Sequence, residues 1–488
     1  MAQQSGVLEE KSVAKSTNRD TINKKIAALD YNPKTVMVFN GTQITNIDKP
    51  AEDKFEDSTY IVVTREKCSY EGNFDIAVPT AFDDITYPGA LLLADNDLLD
   101  GRPQQLAADR TPLEISMTLP GSDAFSFQVV PTYKNLLAGI NGRLKEFFGS
   151  RGEKKWEFPA NFQYSSSLVF DEKELALKFG CDVTYLKQKL GVDFSSKSSD
   201  KHSTYIVRFK QVFYTVSAER PPKPADVFAE TTTWDDLQRA GVSREHPPLF
   251  VKNVQYGRQI FLKFESSLSA TELESTVKGV CSHGGLQIDA HLDASYRAKL
   301  DQIEVNVVVL GGSTSAFKKM RLGSLDDVKT INNIIWANTE VSPSNPAAPL
   351  NYYTVFLKDG APGLISGKTE YIAEKTEIMH SGRIHLNHGG AYVASFHVYW
   401  DEIGYVNGVK TTKRVGWGGN GANVSAPYTT EIPLRGNARN IEIKAEGAWF
   451  IKSWTTSGHR IGLPLVPLRS VSIGGSTLRQ WFKMTPES

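Results

Sequence analysis

Two stretches of this chain change face at every residue. Across residues 175–185 the odd positions are Leu175, Leu177, Phe179, Cys181, Val183 and Tyr185; the even ones are Ala176, Lys178, Gly180, Asp182 and Thr184. Across 286–296 the even positions are Leu286, Ile288, Ala290, Leu292, Ala294 and Tyr296, against Gln287, Asp289, His291, Asp293 and Ser295. A period of two is the strand period, with one apolar and one wet face. A tilted strand crosses a bilayer in about 9–11 residues, the length of each run. Apolar outward and polar inward is the pattern of a transmembrane β-barrel strand.

Alternation is also ordinary in soluble antiparallel sheets, so the flanks matter. After the first run, Leu190, Val192 and Phe194 alternate with Gly191, Asp193 and Ser195, as a returning arm would. Before the second run, Leu273, Val277 and Cys281 stand opposite Glu272, Glu274 and Lys278, a weaker arm with Ser275 and Gly279 on its apolar face. Each site therefore reads as a hairpin. Both also tolerate a helical reading: residues 173–189 are rich in Leu, Lys and Glu and lack proline. A segment legible both ways is a candidate refolding element.

The rest of the chain narrows the choice. Its 488 residues imply several domains. Fifty-five basic residues balance 55 acidic ones, which gives no electrostatic footprint for nucleic acid. No apolar run approaches the roughly 18 residues of a spanning helix. The first twenty residues are polar and lack the apolar core of a secretory signal, so a leader already removed or another export route is expected. Cys68, Cys181 and Cys281 are too scattered for a disulfide framework or a metal pair; the last two lie on apolar faces and read as small hydrophobes.

Helix signals occur near residues 21–28 and 133–148, and 305–312 (VNVVVLGG) reads as a buried strand closed by two glycines. From about residue 376, period-two strands follow one another with Gly and Asn turns (GRIHLNHGG, YVASFHVYW, NIEIKAEGAWF, LRSVSIGGSTL), the pattern of a β-sandwich. No enzymatic motif stands out. GWGGNG (416–421) lies between strand-like stretches with no helix after it, so it is no phosphate cradle. His385, His388 and His397 are close in sequence, but no carboxylate or cysteine completes a metal set. The expectation is a non-enzyme without cofactor or metal.

In order along the chain, YPGALLLAD, LAADRTPL, FKQVFYTVSAE, QYGRQIFLKFES, VVVLGG, YYTVFLKD, GAYVASFHVYWDE, IPLRGNARNIEIKA and LPLVPLRSVSIGGSTL span residues 87–478 and resemble the cholesterol-dependent cytolysins. The resemblance implies an α+β fold: an elongated four-domain architecture with a twisted central antiparallel sheet flanked by helical clusters, and a C-terminal β-sandwich. Domain 1 would comprise 26–42, 79–167, 218–261 and 337–358. Domain 2 would be 43–78 and 359–375, domain 3 would be 168–217 and 262–336, and domain 4 would be 376–488. The implied activity is that of a secreted pore-forming toxin, a soluble monomer that binds target membranes through the sandwich. It self-associates into a large ring and inserts a barrel made of two hairpins per monomer. The hairpin segments would be 175–201 and 269–299, the two sites that alternation alone selects.

The resemblance also assigns roles. Gly311 and Gly312 match a glycine pair that lets an edge strand swing. Phe170 matches an aromatic that stacks on a neighbouring subunit, but its partner position is Val305, so subunit register would be fixed otherwise. Thr477 and Leu478 match the sterol-recognition pair. The tip loops 388–394, with Tyr392 and Val393, and 415–420, with Trp417, would lie beside them. The chain departs from the family at KAEGAWFIKSWTTSGHRIGLPL, where a tryptophan-rich undecapeptide loop with one cysteine is expected. Here the loop is shorter, has no cysteine, and keeps only Trp449 and Trp454. Thiol sensitivity should be absent, and the membrane partner is either cholesterol or a glycan or protein receptor. A non-lytic adhesin would need no hairpin alternation, yet three of the four arms keep it.

Overall fold

The computed structural model describes residues 18–74, 76–77, 84–99, 101–119, 125–149, 161–179, 203–281, 294–311, 317–336, 341–342, 345–450 and 453–487. The chain divides into two compact units. One comprises Met1–Ile44 and Cys68–Tyr371; the other comprises Thr45–Lys67 and Ile372–Ser488.

The first unit is organised by a ten-stranded sheet. In chain order its main elements are β1 (Leu113–Met117), β2 (Phe125–Val129), α1 (Tyr133–Gly149), β3 (Asn161–Leu168), α2 (Glu172–Phe179) and β4 (Ser203–Ala218). There follow β5 (Pro248–Ser266), α3 (Ala270–Cys281), α4 (Ala294–Leu300), β6 (Ile303–Leu310), β7 (Phe317–Arg321), α5 (Leu325–Trp336) and β8 (Ala348–Phe356). β4 and β5 pair antiparallel almost end to end, from Ser203↔Ser266 to Ser217↔Asn253. Their outer partners change half-way. β4 meets β3 over residues 205–212 and β1 over 216–218. β5 meets β8 over 249–257 and β6 over 259–266. β7 covers the far edge of β6.

At the β6 end the sheet is buried on both faces, which is why β6 reads as a near-continuous apolar run, while β4 and β5 also bury polar side chains, Lys210, Gln211, Arg258, Gln259 and Lys263 among them. Ile303, Val305, Val307 and Val309 point into one core with Leu273 and Val277 of α3, Leu300 of α4 and Ile331 of α5. Val308, Ile206 and Phe261 point the other way, against Leu175 and Phe179 of α2. Ser269 caps α3, accepting from the Glu272 N–H at 3.3 Å while its hydroxyl donates to the Glu272 carboxylate at 3.0 Å. Ser324 and Asp327 cap α5 in the same manner.

The second unit holds the β-sandwich. Its strands are β9 (Gly382–His388), β10 (Val393–Val406), β11 (Val409–Gly416), β12 (Tyr428–Leu434), β13 (Ala438–Phe450), β14 (Ser453–Leu463), β15 (Leu468–Ser476) and β16 (Arg479–Thr485). One sheet runs β12-β9-β15-β16, with β9 and β15 parallel. The other runs β11-β10-β13-β14. Between them lies a core that includes Ile384, Leu386, Phe396, Val398, Ile443 and Val471. The fold is thus α+β and sheet-dominated, with a C-terminal β-sandwich.

Candidate functional site

Of the two alternating segments, the parts described are helical. α2 begins at Asp171, whose carboxylate accepts from the N–H groups of Lys173 and Glu174 at 2.9 and 3.1 Å. It ends where the Arg208 guanidinium donates to the Phe179 carbonyl. Leu175, Leu177 and Phe179 are all buried, at 1%, 2% and 2% exposure. In a helix, Leu177 lies nearly opposite the other two. Leu175 and Phe179 face the sheet, while Leu177 packs beside Gly367, where any Cβ would stand 2.9 Å from its methyl. A period-two apolar pattern fits this helix because it is covered on two sides.

α3 buries Leu273, Val277, Val280 and Cys281 along one stripe and leaves Ser275 exposed. Cys281 is only 4% exposed and packs as a small hydrophobe. Tyr296 lies on α4 and packs against the same core. Val183, Tyr185, Leu190, Val192, Phe194, Leu286, Ile288, Leu292 and Gly312 lie outside the described residues.

α2 carries a buried ion pair. Glu174 is fully buried; its carboxylate accepts from the Phe170 N–H at 2.8 Å and lies 2.5 Å from Lys178 Nζ. Lys178 also donates to Ser167 Oγ at 2.8 Å and stands over the rings of Tyr70 and Tyr371. The Phe170 ring stacks on Tyr371 at 6.2 Å and 10°. Burial raises the Glu174 carboxyl above its usual pKa, while Lys178 and the Phe170 N–H act in the other direction. A carboxyl raised on folding contributes stability that is fully present below its unfolded pKa and is lost as pH rises through the folded value. Glu174 therefore seats α2 more firmly in acid. The stability of the native chain relative to a Glu174→Gln variant should grow as pH falls, read from thermal midpoints across a pH series. A constant difference would contradict this sign.

Gly311 ends β6 at φ +74°. It sits where the partner of β5 changes from β6 to β8. A Cβ there would stand 2.3 Å from the Gly257 carbonyl oxygen and 3.1 Å from Ala348 Cβ. Gly257 is equally constrained, since its own Cβ would stand 1.9 Å from the Gln211 carbonyl. Val305 is fully buried and opposite Met320 of β7. Phe170 and Val305 are not in the same core.

One end of the sandwich gathers most of the tip residues. Thr477 and Leu478 form the two-residue connection of the β15–β16 hairpin, between paired Ser476 and Arg479. Leu478 is 71% exposed, the highest value among the large apolar side chains described. Loop 389–392 runs alongside: the Ala391 N–H donates to the Gly475 carbonyl at 2.8 Å. Val393 and Trp449 are exposed at this end of β10 and β13, and exposed Trp454 pairs with Ala448. Tyr392 is turned inward as a strut. Its hydroxyl donates to the Gly474 carbonyl at 3.1 Å, and its carbonyl meets His388 Nε2 at 2.7 Å. Trp417 is set back: its N–H bonds Val398, five residues along β10 from Val393, and its ring covers Gly419 and packs on the sandwich core.

Two tip residues escaped the sequence reading. Gln480 joins the hairpins, donating to the Ala448 carbonyl at 3.4 Å and accepting from Ser457 Oγ at 2.6 Å. Trp481 is 49% exposed on β16 and lies against Gly474. The signal for it was present, since Arg479, Trp481 and Lys483 alternate outward. Gly475 has φ +98°, and a Cβ there would stand 2.1 Å from the Arg479 carbonyl oxygen. Gly475→Ala should cost about 1–3 kcal/mol in local strain. It should weaken liposome binding in flotation assays while circular dichroism stays native. Unchanged binding would show that the turn tolerates the shift.

Comparison with known proteins agrees with this architecture. The thiol-activated cytolysin model matches residues 21–379, and the thiol-activated cytolysin beta sandwich domain matches 383–481. Perfringolysin O of Clostridium perfringens (strain 13 / Type A) is 36% identical over 471 residues, covering 94% of this chain and 91% of its own. The crystal structure of a Gram-negative toxin matches with TM-score 0.88 at 63% identity, covering 97% of this chain and 100% of that one. A disulfide-locked mutant of intermedilysin with human CD59 matches with TM-score 0.85 at 30% identity, covering 97% and 100%. The chain belongs to the thiol-activated, cholesterol-dependent cytolysins, a family of pore-forming toxins that oligomerise and insert a β-barrel.

Proposed function

We propose that this pore former docks on sterol-containing membranes through Thr477 and Leu478, with Trp449 and Trp454 as interfacial anchors. The observation that carries this reading is Leu478, 71% exposed at the apex of a hairpin fixed on both sides by the sandwich. An exposed leucine flanked by exposed tryptophans suits the boundary between headgroups and acyl chains. In the four-domain division, domain 4 (376–488) binds and domain 3 (168–217 and 262–336) supplies the hairpins.

The sheet topology supports the next step. Among the described residues β3 pairs only with β4, so its other edge is open, whereas the outer edge of β6 is covered by β7. Swinging β7 about Gly311 and Gly312 would free β6 to pair with the β3 edge of a neighbour. Ring closure must precede insertion, because unpaired backbone groups are not tolerated in hydrocarbon.

A second reading rests on the hairpin of β13 and β14. It has no cysteine where the family carries a thiol, so recognition there has changed chemistry and a protein or glycan receptor becomes an alternative. Flotation with liposomes of graded cholesterol content separates the two. A steep rise in bound protein with cholesterol supports sterol docking; no binding at any cholesterol content, beside lysis of cells, supports another receptor.

A further inference from the structure

The first unit contains a cavity that pore formation leaves without a role. Its volume is about 790 Å³, within the roughly 300–1,000 Å³ of small-molecule sites. Leu137, Ile140, Leu144 and Phe148 of α1 line it, joined by Pro346 and Pro349. So do Tyr214 and Tyr256, cross-strand partners on β4 and β5 whose rings stack at 5.3 Å and 13°.

Two polar groups at this cavity have no hydrogen-bond or ion-pair partner among the described residues. Tyr214 is only 4% exposed, and its hydroxyl makes no hydrogen bond among the described residues. The Tyr214 hydroxyl can therefore donate to a ligand oxygen. Lys145 also lines the cavity, is exposed, and forms no ion pair among the described residues. The neighbouring Glu146 is engaged by Arg143 at 2.7 Å. The lining is otherwise mainly apolar, so an occupant must be mostly hydrocarbon, with an oxygen acceptor for Tyr214 and a negative charge for Lys145.

We propose that this cavity binds an amphipathic carboxylate of the fatty-acid class, its chain against α1 and the two prolines and its charge held by Lys145. Such a site would let the soluble toxin carry or sense free lipid anions independently of sterol docking at the sandwich. Calorimetric titration of the intact chain with dodecanoate, below its micelle concentration, is the test. Saturable one-to-one binding is expected. Lys145→Glu, an exposed change that leaves the fold intact, should weaken dodecanoate at least tenfold and leave dodecanol unaffected. Tyr214→Phe should weaken it several-fold. Leu137→Trp, on the exposed edge of the lining, should block binding while thermal midpoint and lysis stay native. The proposal is overturned if dodecanoate shows no saturable binding, or if Lys145→Glu and Leu137→Trp both bind it as the native chain does.

Discussion

Replacing Gly311 with valine should abolish lysis while leaving membrane binding intact. Two constraints meet at this residue. Its φ of +74° is strained for any residue with a Cβ, most of all a branched one, at about 1–3 kcal/mol. Its Cβ would also stand 2.3 Å from the Gly257 carbonyl oxygen, so the exit of β6 must shift or the chain must twist there. Either change stiffens and misdirects the point about which β7 would swing. Adding about 2.7 kcal/mol to that step slows it roughly a hundredfold. The tip residues belong to the other compact unit, with its own core, so docking should persist. The check is haemolysis or dye release beside liposome flotation, with a thermal melt to show that the first unit still folds. Native lysis in a folded Gly311→Val variant would remove the hinge assignment. Gly312→Val serves as a second test of the same pair.

Replacing Thr477 and Leu478 together with glycine should remove sterol-dependent binding with little effect on stability. Leu478 is 71% exposed, so its side chain contributes little to folding but is available to lipid. Burying a leucine contributes about 1.5–3 kcal/mol, or roughly 10- to 150-fold in affinity for each monomer. A ring would multiply that loss, because in the proposed docking every subunit uses the same turn. Flotation on cholesterol liposomes should show loss of binding, with the thermal midpoint unchanged. Unaltered binding would move recognition to Trp449, Trp454 and Trp481, or to a receptor that is not lipid.

Part of the sandwich was legible because β9, β10, β13 and β15 alternate inward and outward between Gly and Asn turns, whereas β11 and β14 are exposed along nearly their whole length and carry no such rhythm. The buried strand at 305–310 was legible from its run of valines, and the helix at 133–149 from its composition. At α2 the sequence permitted two structures, and the fold uses one of them. Leu175, Leu177 and Phe179 suit a strand face, yet they also suit a helix that is covered on both sides, and only tertiary packing shows that Gly367 waits on the second side. Long-range contacts left no local trace. Nothing in the neighbourhood of Phe170 announces Tyr371 as its stacking partner, and nothing near Gly257 announces that its carbonyl faces Gly311. Tyr392 looked like a tip residue because its loop is at the tip, but its hydroxyl is needed by the Gly474 carbonyl, which turns the ring inward. Gln480 was silent because a glutamine on a strand is ordinary until its two partners on the next hairpin are known.

In the proposed pore the segment holding α2 leaves its helix and becomes a lipid-facing strand. Single cysteines at positions 175 to 179 in a cysteine-free background, each carrying an environment-sensitive dye, test it directly when the liposomes contain nitroxide-labelled lipid. On pore formation the dye should be quenched at 175, 177 and 179 and spared at 176 and 178, since alternate strand residues face opposite sides. Quenching with a helical period, or none at any of the five positions while pores form, would contradict it.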